Sequence, residues 1–242
     1  MKIIKPSAVL MRDFDGAEVM KFLELCGRTA YQSAKNITDD SAKKFIRNLI
    51  KRGHESVLEH FSCTFKIICD RGVMAELTRH RHASFTVEST RYIKCDELKF
   101  IEPDYWVGDY LHIDKYIRGK AQIQRSNWFE AVQSAEDNYL NCLTGGKYYR
   151  GCGMPPEIAR AVLPLCLATE LYMTANLREW RHILKLRTAK DAHPQMRQVA
   201  EMILAVLKRK LPVIFEDIDV LNGFDSVTIK GGLVCEDTGN EK

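Results

Sequence analysis

The chain has 242 residues, 45% of them hydrophobic and 28% charged, with a formal net charge of +4 at pH 7. That is the make-up of a globular protein with a full core, at a length that still suits a single domain over residues 1–242. The near-balance of charge argues against a general nucleic-acid binder and is compatible with an anionic small substrate.

None of the eight cysteines forms a Cys-x-x-Cys pair, so zinc-ribbon spacing is absent. Pro6 and nearby charges interrupt the first residues, leaving no signal-peptide core, and no apolar run approaches the ~20 residues of a membrane helix. The expectation is a reduced, cytoplasmic protein that does not engage a membrane, its cysteines mostly small buried apolar groups.

In chain order, Lys2 to Leu10 reads as a first strand. Gly16 to Cys26 carries Val19, Met20, Phe22, Leu23 and Cys26 at helical spacing. Thr38 to Ser41 supplies N-cap candidates for a second helix, with Phe45, Ile46, Leu49 and Ile50 on one face and Gly53 ending it. Phe61 to Cys69 alternates as a strand. Asp70-Arg71-Gly72 then turns the chain into a short helix from Val73 to about Arg79, followed by loop. Lys99 to Glu102 reads as a strand, Leu111 to Leu143 as a long helix with Gly119 inside it, and Glu157 to Leu163 as a helix opened by Pro155-Pro156. Leu165 to Met173 alternates again, and helices follow from about Asn176 to Leu186 and from Pro194 to Leu211. The polar end from about 230 to 242 reads as a frayed tail. Strands and helices mix without regular βαβ alternation. The fold class is therefore α+β, with a mixed or antiparallel sheet packed with helices.

Four stretches hold candidate chemistry. RHRHASFTVESTR, residues 79–91, gathers Arg79, Arg81 and Arg91 with two histidines and four hydroxyl side chains. Arginine's planar fork suits bidentate phosphate contact, so a pocket for a phosphorylated small molecule competes with a solvated turn. In NLREWRHILKLR, residues 176–187, Arg178 and His182 share a helical face at i and i+4; a plain surface helix with Asn176 as N-cap is the alternative. GHESVLEH, residues 53–60, holds two histidines and two glutamates, but His-x5-His is no zinc-helix spacing, and no metal is expected. Cys166 sits in an alternating segment with nothing nearby in sequence to activate it, so it reads as core. There is no P-loop, no GxGxxG and no Gly-x-Ser-x-Gly.

The first two of these stretches resemble the flavin-dependent thymidylate synthases, whose signature is Arg-His-Arg-x-x-Ser-x-Asn-x-x-Ser-x-Arg. Arg79, His80, Arg81, Ser84, Ser89 and Arg91 match it; Thr86 stands where the pattern has asparagine, and Val87 where a polar residue is common. The likeness extends over 54–92 and 160–196. It implies reductive methylation of dUMP to dTMP, with methylenetetrahydrofolate as carbon donor, FAD as cofactor and NADPH as reductant. It also implies a homotetramer with intersubunit sites. By resemblance, His54, Ser56, Arg79, His80 and Arg81 would contact FAD, with Glu59 nearby, and Asn176, Arg178 and His182 would reach it from another subunit. Glu76, Arg79, Glu88, Ser89, Arg91 and Arg160 would hold the nucleotide, and Arg187 would face the uracil ring as the catalytic residue. A flavoenzyme of the same fold acting on another pyrimidine nucleotide, and a noncatalytic nucleotide- or nucleic-acid-binding protein, remain alternatives.

Overall fold

The computed structural model describes residues 1–92, 97–103, 115–147 (side chains from 122) and 151–219. Two short strands open the chain, β1 at Lys2–Ile4 and β2 at Ser7–Leu10, and they join different sheets. The single strand expected there is split near Pro6, which has no N–H to give a ladder. Helices α1 (Gly16–Arg28) and α2 (Ser41–Lys51) follow, then a 3-10 segment at Glu55–His60.

Strand β3 (Ser62–Asp70) buries Cys63, Phe65, Ile67 and Cys69, the phase its alternation requires. No turn follows it. The Asp70 side chain accepts from Val73 N–H at 2.7 Å, and α3 (Arg71–Leu77) starts at once. The segment expected to be loop after α3 contains β4, Ala83–Val87, paired antiparallel through its whole length. Ala83, Phe85 and Val87 face one way and Ser84 and Thr86 the other, an alternation masked by the charge around it.

Strand β5 (Lys99–Ile101) pairs in parallel with β1. Helix α4 spans Lys115–Thr144, while the expected start at 111–114, like the tail at 230–242, lies outside the described residues. The helix after the prolines is shorter than expected: α5 (Pro156–Ala159) gives way to one 3-10 turn at Arg160–Val162. Strand β6 runs over Ala168–Asn176, so Leu165 and Cys166 precede it, and Leu165 is exposed. Helices α6 (Leu177–Arg187), α7 (Pro194–Lys210) and α8 (Pro212–Phe215) complete the described chain.

The larger sheet has the order β2-β3-β6-β4, all neighbours antiparallel. One face is apolar: Phe65, Ile67, Leu171, Met173 and Ala175 join Leu23, Ile46, Trp180, Leu184 and Leu204 in the main core. Trp180 stands edge-on to Phe65, centroids 5.2 Å apart, and donates from Nε1 to the Cys63 carbonyl at 3.2 Å. The opposite face is polar, with Thr64 against Thr174 at 2.8 Å and Lys66 against Glu170 at 2.8 Å. A second apolar cluster unites Leu98, Phe100 and Leu167 with Val132 and Tyr139 of α4. The fold is α+β, as expected. No helix of the described residues is long and apolar enough to cross a membrane.

Candidate active site

Antiparallel pairing brings three of the four chemistry-bearing stretches to one edge. Ser62 lies opposite Asn176, and Ala83 opposite Ala175. The residues preceding β3, those preceding β4 and the first turns of α6 therefore converge beside the end of β6.

The 53–60 stretch is positioned by the end of α2. Gly53, at φ +73°, donates to the Ile50 carbonyl, and His54 N–H reaches the Leu49 carbonyl at 2.9 Å. This paired closure needs a left-handed residue after the cap, which glycine supplies without a Cβ penalty. His54 and Ser56 emerge exposed from it. Arg181, 1% exposed, then anchors the 3-10 segment: its guanidinium holds Glu55 at 3.1 Å and Asp217 at 2.7 and 2.9 Å. That pairing, led by the hydrogen bond from Arg181, holds the Asp217 carboxyl well below its ordinary range. Outside, Arg178 binds Glu59 at 2.5 Å.

Asn176 caps α6, its Oδ1 accepting from Glu179 N–H at 2.9 Å. The helix then sets Glu179, His182 and Arg187 along the side facing the end of α3. There Arg187 is clamped. Nη1 donates to Glu76 Oε2 at 2.8 Å, Nη2 to the Glu76 carbonyl at 3.3 Å, and Nε to His80 Nε2 at 3.1 Å. His80 is buried, its ring edge-on to His182 with centroids 6.0 Å apart, and its Nδ1 lies 3.7 Å from Glu179 Oε1. Burial, then the Arg187 charge, then His182 push the His80 pKa down to about 4, so the ring is neutral at pH 7. A neutral imidazole accepting at Nε2 carries its proton on Nδ1. Arg79, Arg81 and His182 are exposed along the same edge.

Two buried charged residues here were missed from sequence, Glu179 and Arg181. Both sit on α6 beside its apolar stripe of Leu177, Trp180 and Leu184, which was the available signal; their partners lie far away in the chain.

Glu88, Ser89, Arg91 and Arg160 gather elsewhere. Strand β4 carries the chain about 13 Å, four rises of ~3.3 Å, from Ala83 to Val87. Beyond it, Glu88 Oε2 accepts from Glu170 N–H at 3.3 Å, and Arg160 Nη1 donates to Thr90 Oγ1 at 3.4 Å. Ser89 Oγ accepts from Arg91 N–H at 3.3 Å, and the Arg91 guanidinium lies 3.7 Å from Glu157. A cleft of about 510 Å³ opens here, walled by Thr86, Glu88, Thr90, Glu170 and Tyr172. The concavity of about 620 Å³ at Asp13–Ala17 and Lys210 contains no candidate residue. The stretch 79–91 therefore serves two ends of one strand, not a single loop.

His80, Glu179 and His182 are the one trio among the described residues whose ligand atoms come within 4.8 Å of one another. His80 would have to ligate through Nδ1, which would move its proton to Nε2, against the Arg187 Nε–H donor at 3.1 Å. The donor set does not suit a cation. Nor do Cys63, Cys69 and Cys166 suit nucleophilic attack: burial pushes Cys63 and Cys69 up to about 12 and Cys166 to about 11, leaving all three protonated at neutral pH.

The sequence matches the family model of Thy1, thymidylate synthase complementing protein, over residues 15–213. A flavin-dependent thymidylate synthase of Halobacterium salinarum is 35% identical over 202 residues, covering 75% of this chain and 77% of that protein. One of Mycobacteroides abscessus is 30% identical over 233 residues, 94% of this chain and 90% of that protein. Among solved structures, the UMP/dUMP methylase PolB of Streptomyces cacaoi, bound with 5-Br dUMP, superposes with a TM-score of 0.71 at 28% identity, covering 89% of this chain and 96% of that one. With the arginines that flank β4 and the Arg187 clamp on one framework, and with matches over most of its length, the chain belongs to the flavin-dependent thymidylate synthase family and is an enzyme of it.

Proposed function

We propose that this enzyme methylates dUMP to dTMP, taking the carbon from methylenetetrahydrofolate, with FAD as cofactor and NADPH as reductant. The observation that carries the reading is Arg187, held on three of its nitrogens by Glu76 and His80 so that its plane cannot swing. For uracil C5 to attack a methylene group, negative charge must build on the ring. A guanidinium already fixed beside it lowers the cost without reorganisation at the moment of reaction.

The residues fit a flavin dinucleotide. Arg79, Arg81, Arg178, His182, His54 and Ser56 present cations and donors along one exposed edge, as a pyrophosphate requires, while Asn176 is half-buried and His80 buried beside them. When bound and reduced by NADPH, the flavin would supply the hydride that completes the methyl group. Ser89, Arg91 and Arg160 would hold the nucleotide phosphate, with Glu88 in the same substrate site. Because β4 separates these from Arg187, a nucleotide spanning phosphate and uracil contacts would draw on two protomers; this supports a homotetramer with intersubunit sites. The whole of 1–242 is read as one such domain, working in the cytoplasm.

Purified protein supplied with FAD, dUMP, methylenetetrahydrofolate and NADPH should form dTMP, and Arg187→Ala should bind FAD but lose ~10²–10³ in kcat. NADPH oxidation with no dTMP, or full activity in Arg187→Ala, would remove the reading. The solved neighbour's description as a UMP/dUMP methylase favours one second reading, methylation of UMP. Replacing dUMP by UMP in the same assay decides between them.

A further inference from the structure

We propose that Glu179 is a positioning residue: its carboxylate holds the buried His80 ring as the Nδ1-protonated tautomer, so that Nε2 stays an acceptor and keeps Arg187 aimed. The inference rests on Arg187 having the role proposed above. It starts from a chain of contacts in which each atom can do only one thing. Arg187 Nε is always a donor, and it faces His80 Nε2 at 3.1 Å. Nε2 must then be bare, and the ring's one proton falls on Nδ1. The group facing Nδ1 is Glu179 Oε1 at 3.7 Å, beyond a direct hydrogen bond and within ion-pair reach.

At that range the carboxylate acts on the tautomer through its charge. Glu179 is 9% exposed and His80 6% exposed, so little water intervenes to screen the N–H dipole from the negative oxygen. The opposite tautomer would point a bare Nδ1 lone pair at the carboxylate and an N–H at a guanidinium N–H. Both contacts would be repulsive. The Asn176 cap draws Glu179's own backbone N–H to 2.9 Å, so the helix start and the carboxylate are fixed together. Other ionisable groups beside His80 are Glu76 of α3, which is paired to Arg187, and His182, which is edge-on to the ring. With Glu179 silent, Arg187 would keep Glu76 and lose its third anchor, leaving its plane free to tilt.

The test pairs two substitutions that separate charge from shape. Glu179→Gln keeps the volume and removes the charge; Glu179→Asp keeps the charge and shortens the arm. In histidine-labelled protein, without flavin or substrate, nitrogen NMR should show wild-type His80 protonated at Nδ1, its signals assigned by their loss in His80→Gln. Glu179→Gln should lower the Nδ1-protonated share and cut kcat about tenfold, the worth of one ~1.4 kcal/mol interaction, with the dUMP KM within about twofold. Glu179→Asp should retain the tautomer and most of kcat. A residue that only fills space predicts the reverse order, with Gln tolerated and Asp harmful. An Nε2-protonated wild type, that reversed order, or a tautomer or kcat unmoved in Glu179→Gln would overturn the proposal. The tautomer is read without turnover, so an enzyme that fails to make dTMP sinks the functional reading and leaves this measurement standing.

Discussion

His80 shows at the scale of one residue how burial and a neighbouring charge combine. Both disfavour the protonated ring, and together they hold its pKa at about 4 against an ordinary 6.5. Between those two values an unfolded chain takes up a proton that the folded chain refuses. This group's share of stability is therefore complete above about pH 6.5 and is lost as the pH falls toward 4. His80→Gln should consequently lose less stability than wild type when denaturant titrations at pH 6.5 and 4.5 are compared. Equal losses would show that His80 is not held neutral. The residue types at this site were legible because Arg79, His80, Arg81, Ser89 and Arg91 fall in a fixed spacing. What charge each group carries was not, because it depends on Arg187, more than a hundred residues away in sequence.

At the scale of elements, α6 serves stability and site together. Asn176 was expected either as a plain N-cap or as a cofactor contact, and the cap is observed, with Oδ1 accepting from Glu179 N–H. The two roles separate by substitution. Asn176→Ala should cost about 0.5–2 kcal/mol of stability, while Asn176→Asp, an equally good cap, should cost almost none. If Asn176→Asp nonetheless weakens FAD binding in a fluorescence titration while its melting point holds, the amide contacts the cofactor. Unchanged FAD affinity would confine Asn176 to the cap. Strand β4 is where element-level reading failed. Its alternation of Ala83, Phe85 and Val87 covers five residues, flanked by arginine, histidine and glutamate that draw the eye to solvent. A strand that short is decided by its partner, and β6 lies some ninety residues downstream.

For the whole molecule, β4 acts as a spacer. It parts the Arg187, His80 and Glu76 cluster from the Ser89, Arg91 and Arg160 group. In the proposed reading, different protomers bring the two groups to one nucleotide. Two variants that are each inactive, Arg91→Ala and Arg187→Ala, should then regain part of the activity when dissociated and reassembled as a mixture, since some sites would draw both intact residues. No recovery, in mixtures whose exchange is verified by mass, would place each site within one chain.

The chain by itself determined the residue chemistry and most of the periodic elements. Six motif positions, the β3 alternation, the Gly53 closure and the capped α6 all follow from local spacing, which a backbone obeys wherever it is placed. Tertiary structure alone decided which groups meet and which are kept apart. Burial of Glu179 and Arg181, the clamp on Arg187 and the division of the 79–91 stretch by a strand each require a partner remote in sequence. Such contacts form only when the antiparallel register of β6 sets the ends of β3, β4 and α6 side by side.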